Sequence, residues 1–207
     1  MIRRLVQSAA LLFFIGQGSL AVATGEESDP VTILQSATNH ILSILEENRA
    51  EFTENPALLQ DVVREDLLPM IDMEYSSRLI LGKAGRGVSP ENLQAFSDAM
   101  SSVLINRYAD GLLNFRSDEQ FQIMPLKGKN TDKLTRVRTR IRLESGSYAP
   151  VDYAFRRTEN GWKAFDVTVE GISYVITFRN QIAPRVMSEG IEQVTADILA
   201  GTIQLAE

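Results

Sequence analysis

Cysteine is absent and histidine occurs once, as His40. Without cysteine, a small scaffold stapled by disulfides is excluded. A bacterial lipoprotein is excluded as well, since it takes its lipid on a cysteine at the cleavage point. One histidine and no cysteine cannot assemble a zinc cluster. Basic residues are also short, 21 Lys and Arg against 27 Asp and Glu, for a formal net charge of −6. That balance is wrong for nucleic acid, which selects basic patches through counterion release, and it disfavours standing adsorption to anionic lipid. Phosphate-loop and hydrolase signatures are missing. Gly82, Gly85 and Gly87 are not followed by the Lys-Ser/Thr of a P-loop, and there is no G-x-S-x-G elbow. Beyond residue 23 no apolar stretch approaches the roughly 20 residues of a spanning helix.

The one long apolar run is at the start. Arg3 and Arg4 precede Leu5 to Ile15, and the small-residue triplet Ala21, Val22, Ala23 follows. This is the layout of a secretory signal peptide, with cleavage expected after Ala23. Removing residues 1–23 leaves 19 basic and 27 acidic residues, a net charge of −8. The remaining chain, residues 24–207, is expected to be a single domain stabilised by its own core.

Asp29-Pro30 supplies a helix cap and a first-turn proline, and Leu34, Ala37, Ile41, Ile44 and Leu45 follow at helical spacing. Asn55-Pro56 repeats the device for a second helix that Pro69 ends. A third helix is expected from about Asp72 to Leu81, stopped by glycines, and a longer one from Ser89-Pro90 to about Asp110. From Gln120 the period becomes two. Phe121, Ile123 and Pro125 alternate with polar neighbours, then Val137, Thr139, Ile141 and Leu143, then Val151, Tyr153 and Phe155, and finally Phe165, Val167 and Val169 after the Asn160-Gly161 hairpin signal. Helices return at Ile172–Arg179 and from Val186 to Ala200, with breaks at Pro184 and Gly190. The expected fold class is α+β, a curved four-stranded antiparallel sheet covered by N- and C-terminal helices.

Chemistry-bearing clusters are few. His40 stands in no motif and reads as structural. Asp152, Asp166 and Glu170 form the one carboxylate set worth weighing for proton abstraction in a buried cavity; the favoured reading is that these residues pair with neighbouring arginines or cap the turn at Gly171. Arg136, Arg138, Arg140 and Arg142 alternate along one strand, so all four guanidinium groups project from one face. They form either a solvated outer face paired with acids such as Asp152 or a docking patch for an acidic partner centred on Arg138 and Arg140. On the opposite face, the apolar alternation turned toward amphipathic helices suggests a cavity lined by Leu79, Met100, Val137, Ile141, Tyr153, Phe155, Phe165, Val167 and Val175. A filled core would produce the same pattern.

The segment Phe165-Asp166-Val167-Thr168-Val169-Glu170-Gly171-Ile172-Ser173-Tyr174-Val175 resembles the corresponding stretch of the MlaC or toluene-tolerance family. So do Leu67-Leu68-Pro69 with Ile71-Asp72, Leu79-Ile80-Leu81-Gly82, and the onward spacing to Ser89-Pro90, Phe96 and Tyr108. These motifs run in order through nearly the whole chain after the export signal. The family pattern does not demand the four-arginine ladder. The resemblance implies a fold similar to that of nuclear transport factor 2 and a periplasmic phospholipid carrier of Gram-negative bacteria that serves outer-membrane lipid asymmetry. It implies phospholipid as cargo, no further cofactor, and two partners: an outer-membrane lipoprotein complex and an inner-membrane ABC transporter with MCE-domain subunits. A phospholipid with roughly 30 tail methylenes, at ~0.8 kcal/mol each, loses more than ~20 kcal/mol on entering water bare, so such a carrier must wrap its tails. Two alternatives are an isomerase or dehydratase using an acid in a similar cavity, and a ligand-free adaptor for envelope proteins.

Overall fold

The computed structural model describes residues 29–115, 120–127, 130–143, 145–203 and 205. The expected signal peptide lies outside these residues. α1 (Pro30–Glu54) begins where the Asp29 carboxylate accepts the Val31 and Thr32 amides at 2.8 and 3.2 Å. Pro30 occupies the first turn, where its missing N–H costs no bond. α2 (Pro56–Val62) starts at the Asn55-Pro56 pair. The single helix expected up to Pro69 instead ends early, passing into a π turn over Val63–Leu67 and a 3₁₀ turn over Leu68–Met70. Pro69 cannot donate an i to i−4 bond, so the regular ladder stops there even though Leu68 before it keeps helical dihedrals of φ −58° and ψ −37°.

α3 (Met73–Leu81) is capped by Asp72, which accepts the Tyr75 amide at 3.0 Å, and stops at Gly82. The φ of +52° at Gly82 is a value that favours glycine. α4 (Pro90–Tyr108) is capped by Ser89 and runs on into a 3₁₀ segment over Ala109–Asn114.

The sheet contains β1 (Phe121–Ile123), β2 (Leu134–Arg142), β3 (Tyr148–Thr158), β4 (Gly161–Val169) and β5 (Ile172–Ser173), in that spatial order and antiparallel throughout. The fifth strand replaces the start of an expected helix. Glu170 and Gly171, at φ 50° and 86°, form a two-residue turn of the kind that needs positive φ at both positions, and this folds Ile172–Ser173 back onto Thr168 and Val169. Pro125 lies beyond the end of β1.

α5 (Tyr174–Glu189) and α6 (Ile191–Leu199) close the chain. Pro184 does not break α5. It and Asn180, whose carbonyl it leaves without an i+4 donor, are both exposed, so solvent is available to that carbonyl. The expected break at Gly190 is present, with φ 84°.

The buried side chains fall into three clusters. One joins α3, α4, α5 and α6 around Phe96, Met100, Ile182 and Val194, each contributing about 1.5–3 kcal/mol by its burial. The second packs the latter part of α1 with α2 around Leu45, Phe52 and Leu59. Only the third includes strands, and it joins them to the first turns of α1. Among the described residues, no helix is long and apolar enough to cross a membrane.

Candidate functional site

Strand alternation divides the sheet into an inner and an outer face. On β2, Thr135, Val137 and Thr139 are buried while Leu134, Arg136, Arg138 and Arg140 are exposed. Pairing carries the inner face across the sheet: Val137 lies opposite Tyr153 and Tyr153 opposite Val167, with Thr139 beside Val151 and Ile141 beside Ala149. Thr139 donates its hydroxyl to the Val151 carbonyl at 2.7 Å, so its polar atom is satisfied within the sheet. The inner face is therefore apolar in effect.

Its cover is thin. Leu34, with Val31 and Ile33, packs on Val137, Phe155, Tyr153, Phe121, Ile123, Trp162 and Ala164. Burial pushes the Tyr153 phenol up to about 12, because an ionised phenolate is poorly solvated there. Where α1 begins, a recess of about 490 Å³ opens between Val31, Thr32, Gln35 and Ser36 and the segment Ile123-Met124-Pro125-Leu126. This volume falls within the ~300–1,000 Å³ of ordinary ligand clefts. Met124 and Leu126 are 36% and 47% exposed, so its rim is apolar and open.

The nine residues expected to line a cavity are not brought together in one place. Val137, Tyr153 and Phe155 belong to the sheet cluster, and register places Ile141 and Val167 on the same face. Met100 and Val175 are buried in the helical cluster, with Leu79 packed against it. Phe165 is passed over at the bulge, where Ala154 pairs with Asp166 and Phe155 with Ala164. Its ring meets Tyr75 edge-on, with centroids 5.2 Å apart. None of the nine lines the 490 Å³ recess.

The lining of that recess escaped the sequence reading. Its available signal was the run Ile123-Met124-Pro125-Leu126, four apolar residues in succession where a half-buried strand would alternate.

The carboxylates have structural partners. Asp152 stands opposite Arg138 in the sheet and lies 3.6 Å from Arg136 and 4.0 Å from Arg138. Asp166 accepts the Ser173 hydroxyl at 2.6 Å and the Val175 amide at 3.1 Å, and Glu170 is an exposed turn residue. His40 bonds Asp66 at 2.9 Å, tying α1 to the π turn. Among the described residues, no group of three His, Asp or Glu is placed to hold a metal. A second recess, of about 230 Å³, lies beside α3 and α4. Ser97 and Ser101 on its wall donate to carbonyls of their own helix.

Comparison with known proteins matches residues 35–199 to the model of the MlaC protein family. The intermembrane phospholipid transport system binding protein MlaC of Haemophilus influenzae is 26% identical over 168 residues, covering 79% of this chain and 78% of that protein. The toluene tolerance protein ttg2D of Pseudomonas putida is 27% identical over 180 residues, covering 86% of this chain and 83% of its own. Among solved structures, a phospholipid-binding protein from Ralstonia solanacearum, in complex with a phospholipid, superposes with a TM-score of 0.71 at 22% identity. The match covers 83% of this chain and 99% of that one.

Proposed function

The chain belongs to the MlaC protein family, and from that premise we propose that it is a periplasmic phospholipid carrier whose acyl tails lie along the inner face of the sheet. The observation that carries this reading is the separateness of the sheet cluster. Val137, Tyr153 and Phe155 are covered by the first turns of α1 and share no cluster with the helical core. Apolar surface covered by a single helix segment can exchange that cover for acyl chains at little cost, because both supply the same burial per unit area. The recess beside Ile123 and Leu126 extends that surface to the outside and gives a tail its route. Val137, Ile141, Tyr153, Phe155 and Val167 are the tail-facing residues in this reading, while Leu79, Met100 and Val175 belong to the helical core.

The name of the Haemophilus influenzae relative, an intermembrane phospholipid transport system binding protein, supports transport between membranes; the stations in this proposal are an outer-membrane lipoprotein complex and an inner-membrane MCE-domain transporter. Transfer along such a route is close to neutral in free energy, since a bilayer offers the tails the same shelter. Removal of the export signal near Ala23 places the carrier in the periplasm.

Organic extraction of protein purified from its native compartment, followed by mass spectrometry, tests the reading. Phospholipid is expected at a fixed ratio to protein. Protein that is empty in every preparation would instead point to a ligand-free adaptor.

A further inference from the structure

The outer face of β2 carries an imbalance that the cargo does not explain. Arg136, Arg138, Arg140 and Arg142 are exposed on one side of one strand, about 6.8 Å apart in succession at ~3.4 Å per residue. Of the residues facing outward from β1, β2 and β3 (Gln122, Leu134, the four arginines, Tyr148, Pro150, Asp152, Ala154, Arg156 and Thr158), only Asp152 is acidic, and Asp166, opposite Ala154 on β4, is bonded to Ser173 and Val175. The Asp152 distances of 3.6 and 4.0 Å to Arg136 and Arg138 exceed the ~2.7–2.9 Å of a charge-assisted hydrogen bond, so neither guanidinium is locked to it. Arg140 is held differently. Its Nε donates to the Gln122 side chain at 2.7 Å, and its guanidinium lies 4.5 Å from the centre of the Tyr148 ring. The ladder is flanked by exposed apolar groups, Leu134 at 49% and Tyr148 at 40%. Arginine and tyrosine at such positions are the residue types that anchor protein interfaces.

From this arrangement we infer that the outer face of β2 docks an acidic segment of a partner protein, laid along the strand so that successive carboxylates meet Arg136, Arg138 and Arg140. An extended segment with acids at every second residue repeats at the same ~6.8 Å as the ladder. A protein segment fits better than an anionic bilayer. The chain as a whole carries −6, and a bilayer extending past the patch would bring that acidity within the ~8 Å Debye length. A narrow segment meets the arginines alone. The small footprint and the solvated charges give fast encounter with modest affinity, as a protein that must be released again requires. The inference stands on this face alone and is independent of what the inner face holds.

Fluorescence anisotropy with labelled poly-L-glutamate at neutral pH tests it, alongside flotation with vesicles of phosphatidylglycerol and phosphatidylethanolamine. Binding of the peptide is expected to weaken with salt and to fall about tenfold, ~1.4 kcal/mol, in Arg138→Glu/Arg140→Glu. Arg138→Gln/Arg140→Gln is expected to show a smaller loss, with melting curves confirming that both variants fold. Asp152→Asn removes the competing carboxylate and should tighten binding, a gain that misfolding cannot imitate. Equal affinity in the wild type, the Arg variants and Asp152→Asn would overturn the proposal, and so would flotation with vesicles in place of peptide binding. Lipid content of the same preparations is read separately and is expected not to change.

Discussion

Ser173 donates its hydroxyl to Asp166 at 2.6 Å, and the other oxygen of Asp166 takes the Val175 amide at 3.1 Å. Ser173 in turn accepts the Ile176 amide at 3.1 Å. One carboxylate thus fastens β4 to the start of α5, and its lone pairs are occupied by the fold. Asp166→Ala is expected to lower stability by about 1–3 kcal/mol, because two half-buried donors lose their acceptor. Asp166→Asn keeps one acceptor and should cost less. Urea denaturation measures both, and the lipid content per folded molecule should match wild type.

Asp29 governs the end of α1 that covers the sheet. Its carboxyl is held below the usual range, first by the Thr32 hydroxyl and then, after the opposing effect of burial, by the Thr32 and Val31 amides. A depressed folded pKa stabilises above the unfolded value near ~3.9, and that contribution is lost as pH falls through the lower folded value. Asp29→Ala should cost about 1 kcal/mol, the usual worth of such a cap. If α1 is displaced by tails, the same variant should pass lipid to acceptor vesicles faster than wild type, as read by a fluorescent-lipid transfer assay.

Met100 and Phe155 distinguish the helical core from the proposed tail surface. Met100 is fully buried among helices and Phe155 is buried under α1. Met100→Ala should destabilise by about 2–5 kcal/mol and leave the lipid ratio of the folded protein unchanged. Phe155→Ala should reduce lipid retention beyond its effect on stability. Equal retention in the two variants would remove Phe155 from the tail surface.

Asp72 ties α3 to β3 and β4. Its carboxylate caps α3 through the Tyr75 amide and pairs with Arg156, while its own amide donates to the Ala164 carbonyl at 2.7 Å. Arg156 also lies over the Tyr75 ring, 4.3 Å from its centroid. Asp72→Ala leaves a half-buried guanidinium without its counter-charge and α3 without its cap. A loss of about 3 kcal/mol is expected, the scale of breaking an enclosed ion pair. Arg156→Leu should cost less because it leaves the cap intact, and thermal melts of the two variants give the comparison.

Local chemistry was legible in the sequence wherever it acts alone. Asp29-Pro30, Asn55-Pro56 and Ser89-Pro90 each start a helix where expected, and alternation from Leu134 onward gave the inner and outer faces of β2 correctly. Features decided by tertiary context did not show. The Glu170-Gly171 turn creates β5 because Ile172–Ser173 finds the edge of β4, and Pro184 sits inside α5 because its side of the helix faces solvent. The nine residues expected to line one cavity are not grouped in one place, and none of them lines the recess beside α1. Met100 and Val137 both lie on the inward side of an amphipathic element, one a helix and one a strand, and tertiary packing places them in two clusters.

The sheet's two outermost strands are its shortest, three residues in β1 and two in β5, beside inner strands of nine, eleven and nine. Where β4 extends past β5, the Asp72 amide and the Ser76 hydroxyl take the Ala164 and Phe165 carbonyls, each at 2.7 Å. A sheet with long free edges templates strand addition by other copies of itself. With β1 and β5 this short, the edges of the described sheet offer other copies only short stretches of strand on which to register, a property that matters if the α1 cover exchanges with acyl chains as proposed.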